Sequence, residues 1–275
     1  MPELPEVETT RRGIATIMPG HVLKQFFVYE PRMRWPVPPD IEQTISGHEV
    51  VSCERRGKYL LINFDHGTQI IHLGMSGSLR RAGLDEPRRK HDHAEWLFDH
   101  ARFLLHDPRR FGAILWHDKA RGPVGTHALL HKLGIEPFDP LFTGAYLHRR
   151  LHARTLSIKQ ALLAGTIVVG VGNIYASESL FRAGINPLAA AGTISLQRCH
   201  RLVAAVRQTL SEALASGGST LRDYVNATGE AGAYFDIYAA VYEKAGRPCS
   251  ACGTPIRRIV QGQRATYYCP TCQRR

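Results

Sequence analysis

The sequence predicts an α+β protein of several domains: an N-terminal helix leading into a β-sandwich or barrel, a helical middle, and a C-terminal four-cysteine ribbon. Three observations carry this. Short apolar runs broken by close turns fill residues 21–117, an apolar stripe of helical period follows from about residue 146, and two Cys-x-x-Cys pairs close the chain. At 275 residues there is room for two or three separate cores.

Taken in order, residues 5–18 read as a helix. Pro5 suits the first helical position, Glu6 and Glu8 suit the positive end of the dipole, and Val7, Ile14 and Ile17 share a face that Gly20 ends. Pro2 and Glu3 fall just outside this helix. Tyr59–Phe64 and Gln69–Leu73 are strand-like runs around Asp65-His66-Gly67; Trp96–Phe98, Phe103–Leu105 and Ala113–Trp116 follow. Residues 118–145, rich in Gly, Pro and His, form a connector. Within 195–216, Leu196, Cys199, Leu202, Val203, Val206, Leu210 and Leu214 make one stripe, with Ser195 as N-cap and Gly217 as stop. The expected partition is a sandwich over 1–117, the connector 118–145, a helical domain over 146–235 that includes a Gly-rich loop at 217–235, and a ribbon over 236–275.

The ribbon is the most specific local signal. Cys249-x-x-Cys252 and Cys269-x-x-Cys272 are 16 residues apart, a spacing that brings four thiolates to the corners of a tetrahedron, as structural zinc prefers. Ile256–Val260 and Ala265–Tyr268 read as the hairpin strands between them, with Arg264 near the tip. The alternative, two redox pairs, lacks the βαβ context such pairs occupy. With all four sulfurs engaged, one zinc ion is structural, and no organic cofactor is expected. Cys53 and Cys199 lie in apolar stretches and read as core residues.

The formal net charge is +11, from 35 Lys and Arg against 24 acidic residues. The cations cluster at Arg55-Arg56-x-Lys58, Arg80-Arg81, Arg88-Arg89-Lys90 and Arg109-Arg110, which favours a phosphate track over a uniformly solvated surface. No apolar run approaches membrane-spanning length and no signal-peptide core is present, so a cytosolic location is expected. Gly170-Val171-Gly172 lacks the third glycine and βαβ surroundings of a dinucleotide fingerprint. His91-x-His93 offers a possible metal pair on one strand face, without an acidic or cysteine partner placed by the sequence.

Six segments, in register from end to end, resemble the formamidopyrimidine-DNA glycosylase family of bacterial 8-oxoguanine DNA glycosylase/AP lyases: PELPEVET (2–9), HLGMSGSLR (72–80), KHDH (90–93), DPRRFG (107–112), VVGVGNIYASE (168–178) and QRATYYC (263–269). The endonuclease VIII branch, which acts on oxidised pyrimidines, shares the architecture but usually opens PEGPEI; Leu4 and Val7 here favour the oxidised-purine branch.

The resemblance implies a β-sandwich, a helix–two-turns–helix domain and a zinc finger, with duplex DNA carrying an oxidised purine or an abasic site held between the lobes of a monomer. It also implies roles. Pro2, once Met1 is removed, would be the nucleophile that attacks the sugar and forms a Schiff base, followed by β,δ-elimination. Glu3 would be the general acid/base, Lys58 a phosphate contact assisting catalysis, and Arg264 an aid to the second elimination. Met75, Arg109 and Phe111 would fill the void left by an extruded base. His91, Arg154 and Asn173 would contact phosphates, Asn173 from the start of a helix. The loop 217–235 would close over the flipped base. Two other readings remain open: an endonuclease VIII-like pyrimidine glycosylase, and a zinc-ribbon protein that binds damaged DNA without cutting it.

Overall fold

The computed structural model describes residues 2–218 and 232–274. The chain forms two units, one of residues 1–131 with 214–235 and the other of residues 132–213 with 236–275.

The first unit opens with helix α1 (Leu4–Ala15), one residue earlier and shorter at its end than its periodicity suggests. Two four-stranded antiparallel sheets follow. One is ordered β1 (Gln25–Val28), β6 (Asp92–Leu97), β7 (Arg102–His106), β5 (Ser78–Ala82); the other is β2 (Val50–Arg56), β3 (Tyr59–Phe64), β4 (Gly67–His72), β8 (Ala113–Asp118). A short helix, α2 (Ile41–Ile45), precedes β2. Phe26, Trp96, Phe103 and Leu105 from the first sheet share one core with Leu60, Ile62, Ile71 and Ile114 from the second, and Val7 and Ile14 of α1 join it. The architecture is therefore a β-sandwich with an N-terminal helix. Strands β1, β2 and β5 carry no clear alternation in the sequence. In β5 the reason is Arg80, which is buried because Glu86 and Asp92 pair with its guanidinium at 2.8 and 3.0 Å.

Within the 118–145 stretch, two 3-10 turns (Lys119–Arg121 and Val124–Thr126) replace regular structure. The second unit holds α3 (Gly144–Leu151), α4 (Ile158–Leu163), α5 (Asn173–Arg182) and most of α6 (Leu196–Ala215), with Leu147, Ile158, Leu162, Ile174, Leu180, Leu202 and Val206 buried. Thr143 and Ser157 cap α3 and α4 by accepting the N–H of Tyr146 and Gln160. After α7 (Tyr234–Tyr238) comes the antiparallel hairpin β9 (Arg257–Gln261) and β10 (Arg264–Tyr268). Gly262 and Gln263 form its two-residue turn with φ of 51° and 62°, the signature of a type I′ turn. Cys53 and Cys199 are buried. No helix among the described residues is long and apolar enough to cross a membrane.

Candidate active site and zinc ribbon

Pro2, Glu3 and Leu4 are all buried, so the start of the chain is held in place where a terminus is ordinarily frayed. The cause is local. Glu3 occupies the N-cap of α1 with extended backbone, and its N–H donates to the Glu6 carboxylate at 2.7 Å, half of a capping box. Glu6 in turn lies against Gly218: a Cβ there would sit 2.9 Å from its Oε1, and the backbone φ of 90° also calls for glycine. Gly218 accepts the Tyr234 N–H at 3.1 Å, and Ser216 accepts that of Ala233 at 3.0 Å. The roots of the 217–235 loop are thus clamped beside α1, while residues 219–231, where closure over a base is expected, lie outside the described residues.

Lys58 sits in the two-residue β2–β3 turn, after Gly57 at φ 58° and just before the strand that begins at Tyr59. Across the ladder from Tyr59 is His72, whose imidazole is pushed down to about 4 by burial and by the Lys58 and Arg34 charges. His72 is therefore neutral near pH 7, and its Nδ1 accepts the Gly74 N–H at 3.1 Å. Because the folded state holds this group below its ordinary value near 6.5, the unfolded chain binds the proton more readily. Stability is full above pH 6.5 and falls as pH drops toward 4, by about 2–3 kcal/mol. Denaturant unfolding at pH 7 and pH 4.5 should show this loss, and His72→Gln should remove that part of it.

The void-filling candidates come together through Asp107, which is wholly buried. Its Oδ1 accepts the Ser76 hydroxyl at 3.0 Å and its Oδ2 the Gly112 N–H at 2.7 Å, tying the 73–77 loop to the 107–112 loop. Gly74 packs so closely that a Cβ would lie 2.4 Å from Gly112 N and Phe111 C. Met75 and Phe111 are each left 42% exposed, far from the core burial that flexible and aromatic side chains usually find. The Arg109 guanidinium stacks over Phe111 at 4.9 Å, and Arg110 between them takes a positive φ of 55°. His91 and His93 belong to the same knot, as the His91 carbonyl accepts the Asp107 N–H at 3.0 Å and His93 Nε2 meets the Asp107 carbonyl at 2.9 Å. Asp107→Ala should strand two buried donors and cost about 3 kcal/mol, read as a lower urea midpoint.

In the second unit Asn173 is the first residue of α5, as the sequence suggested, and the N-cap is Gly172 in extended conformation. Its Nδ2 donates to the Tyr242 hydroxyl at 3.1 Å and the Ala265 carbonyl at 2.9 Å. The side chain is thus engaged with the ribbon, and the first-turn main-chain N–H groups are what α5 offers an anion. Lys159, fully buried, donates to the same Ala265 carbonyl at 3.1 Å and to Thr266 Oγ1 at 2.7 Å. Glu178, also fully buried, accepts the N–H groups of Ala240, Val241 and Tyr242 at 2.8 to 3.0 Å; burial pushes its carboxyl up despite them. These contacts set the hairpin that carries Arg264, which is exposed immediately after the turn. Arg154 follows Ala153, at φ 60°, and its Nε donates to the Arg150 carbonyl at 2.8 Å. Among the described residues, the non-glycine positive-φ positions Arg110, Ala153, Glu243 and Gln263 adjoin Arg109 and Phe111, Arg154, Tyr242 and Arg264 respectively.

The four ribbon sulfurs lie within 4.8 Å of one another, with Cys249 to Cys272 at 3.9 Å and Cys252 to Cys269 at 3.4 Å. Thiolates bound to one zinc ion at about 2.3 Å stand about 3.8 Å apart, so the arrangement fits a closed structural site. Val241, Cys249, Ile256, Tyr267 and Cys269 form its small core.

Together the features define a class: a β-sandwich unit with buried Pro2 and Glu3 at the head of its first helix, and a helical unit with a four-cysteine ribbon. Comparison with known proteins agrees along the whole chain. The family model for the formamidopyrimidine-DNA glycosylase N-terminal domain matches residues 1–114, that for the formamidopyrimidine-DNA glycosylase H2TH domain matches residues 133–225, and a zinc finger found in FPG and IleRS matches residues 246–275. The chain is 66% identical over 275 residues to the formamidopyrimidine-DNA glycosylase of Bordetella pertussis, covering 100% of both, and 58% identical over 276 residues to that of Burkholderia multivorans, again covering 100% of both. A Lactococcus lactis FPG variant in complex with Fapy-dG DNA superposes with a TM-score of 0.91 at 34% identity, covering 100% of each chain; the Thermus thermophilus FPG protein gives 0.88 at 37%, covering 99% and 98%. The chain belongs to the formamidopyrimidine-DNA glycosylase family. It carries the family's helix–two-turns–helix domain and a structural zinc site.

Proposed function

We propose that this protein is a base excision repair glycosylase and AP lyase that removes oxidised purines, such as 8-oxoguanine and formamidopyrimidines, from duplex DNA in the cytosol, with Pro2 as nucleophile. Once Met1 is removed, the Pro2 nitrogen is a secondary amine with an ordinary pKa near 7.7–8.0, so a useful fraction is neutral near pH 7. It attacks C1′ of the damaged nucleotide while Glu3 protonates the sugar ring oxygen, and the base leaves. The cationic iminium that results withdraws electrons and makes β-elimination of the 3′-phosphate feasible; Arg264 assists the second elimination. Met75, Arg109 and Phe111 occupy the space of the extruded nucleotide, offsetting an unstacking cost of a few kcal/mol. Lys58, His91, Arg154 and the N-terminal turn of α5 at Asn173 hold phosphates.

What supports the reading most is the rigid seating of Pro2 and Glu3 at the head of α1, in a chain that resembles this family from end to end. A protein that only bound damage would need no ordered terminal imine-former. Leu4 and Val7 favour purine over pyrimidine lesions. A solved Lactococcus lactis FPG complex holds DNA containing an oxidised pyrimidine, so a preference is expected and not strict exclusion. The test is single-turnover excision from duplexes carrying 8-oxoguanine opposite cytosine or thymine glycol opposite adenine. Faster release of 8-oxoguanine, with strand cleavage, is expected; faster release of thymine glycol would assign the protein to the pyrimidine branch.

A further inference from the structure

Far along the sandwich from the Asp107 loops, the turn between α2 and β2 meets the turn between β3 and β4. The ladder pairs Val50 with Phe64, and continuing it outward by two residues on each strand sets His48 opposite His66. Their rings lie 4.1 Å apart. Asp65 Oδ1 is 2.7 Å from His66 Nδ1 and 3.6 Å from His48 Nδ1, so both imidazoles point a nitrogen at one carboxylate oxygen. We propose that His48, Asp65 and His66 form a second metal site, separate from the cysteine ribbon, for an exchangeable divalent ion of the zinc, copper or nickel class.

The tautomer of His66 carries the proposal. Its Nε2 lies 2.8 Å from the Thr44 carbonyl oxygen, which can only accept, so the ring hydrogen belongs on Nε2. The other ring nitrogen, Nδ1, faces the Asp65 carboxylate oxygen at 2.7 Å. A cation must lie between them, either a second ring proton or a metal ion. A ring hydrogen anchored on a carbonyl while the other nitrogen faces the ion is the usual support of a metal-bound histidine. The ligand atoms of all three residues lie within 4.8 Å of one another. Zinc at about 2.1 Å from each would need them about 3.4 Å apart, a small opening for side chains that are 31% to 74% exposed.

The turn itself is fixed from behind. Lys119 Nζ donates to the Asp65 carbonyl at 3.0 Å and its N–H to the His66 carbonyl at 2.9 Å, leaving the ligand atoms on the other side. Two imidazoles and one carboxylate leave a coordination position for water, and this donor set suits Zn2+, Ni2+ or Cu2+ better than Mg2+ or Ca2+.

Trp116, with its ring 5.0 Å from that of His66, supplies a reporter. The zinc-loaded protein is dialysed against a modest excess of free Zn2+ at pH 7.5, and bound metal per chain is counted for the parent, His48→Ala and Asp65→Asn. The parent should hold one equivalent more than either variant, and Cu2+ should quench part of the tryptophan emission in the parent but not in the variants. Both substitutions are on exposed side chains, and base-excision activity equal to the parent's verifies that the variants are folded. Equal metal content in parent and variants, or quenching undiminished in both variants, overturns the proposal.

Discussion

Blocking the amino terminus, by an extension that leaves residue 2 in peptide linkage, should reduce strand cleavage to background while DNA affinity changes by no more than a few fold. The two effects separate because they have different physical sources. Affinity comes from phosphate contacts spread over a chain of net charge +11, whereas covalent chemistry depends on one nitrogen lone pair. In peptide linkage that lone pair is delocalised into the carbonyl and cannot attack C1′. Pro2→Gly is a milder test, since a primary amine still forms an imine. It must then be protonated to act as an electron sink, whereas a secondary amine gives a permanently charged iminium. A sharp loss of cleavage is expected there too. Glu3→Gln should slow base release by roughly 10²- to 10⁴-fold, the usual worth of a positioned general acid. Cleavage at a preformed abasic site should suffer less, because no base has to leave. Glu3 is 2% exposed and its backbone is fixed by Glu6, so the amide should keep the same seat.

Removing the zinc ion, by chelation or by Cys252→Ser, should produce the other large effect. The ribbon core has five buried residues, two of them zinc-ligating cysteines, too few to hold a fold alone. Binding of a structural zinc ion contributes about 10–16 kcal/mol to such folds. Without it the hairpin should unfold, and the bonds from Asn173 and Lys159 to Ala265 go with it. Arg264 then loses its placement. Expected together are release of one zinc ion, loss of the near-ultraviolet signal of Tyr267 and Tyr268, and DNA affinity lowered at least tenfold. The sandwich should keep its own unfolding transition. A chelated protein with unchanged DNA affinity would mean the ribbon plays no part in binding.

Much of this was legible before any coordinates, for reasons that can be named. The ribbon is set by cysteine spacing, which is nearly independent of surroundings, and α6 by an uninterrupted apolar stripe. The roles proposed for Pro2, Glu3, Met75, Arg109 and Phe111 rest on resemblance, since a proline near the start of the chain, a methionine and a phenylalanine have no period of their own. Strand β5 stayed hidden because Arg80 is buried in an ion-pair network that sequence cannot display. Asp107, Lys159 and Glu178 escaped for a related reason: each is a charged residue buried among polar partners, Ser76 and Gly112 for Asp107, Ala265 and Thr266 for Lys159, and the 240–242 main chain for Glu178. Their one signal was indirect, since Asp107 and Glu178 fall within matched segments and Lys159 interrupts an apolar run. Asn173 was placed at the start of its helix, where it is found, after Gly172 in the extended geometry of an N-cap. The His48–Asp65–His66 cluster could not be foreseen, as it depends on the register between two hairpin strands.

The central claim is that the chain's own terminal nitrogen becomes bonded to the sugar of the damaged nucleotide. It is tested most directly by borohydride reduction during reaction with 8-oxoguanine duplex, followed by mass spectrometry of the trapped peptide. The deoxyribose remnant should be found on the nitrogen of Pro2, on a chain from which Met1 has been removed. A remnant on Lys58 or any other lysine, or efficient cleavage with nothing trapped, would contradict it.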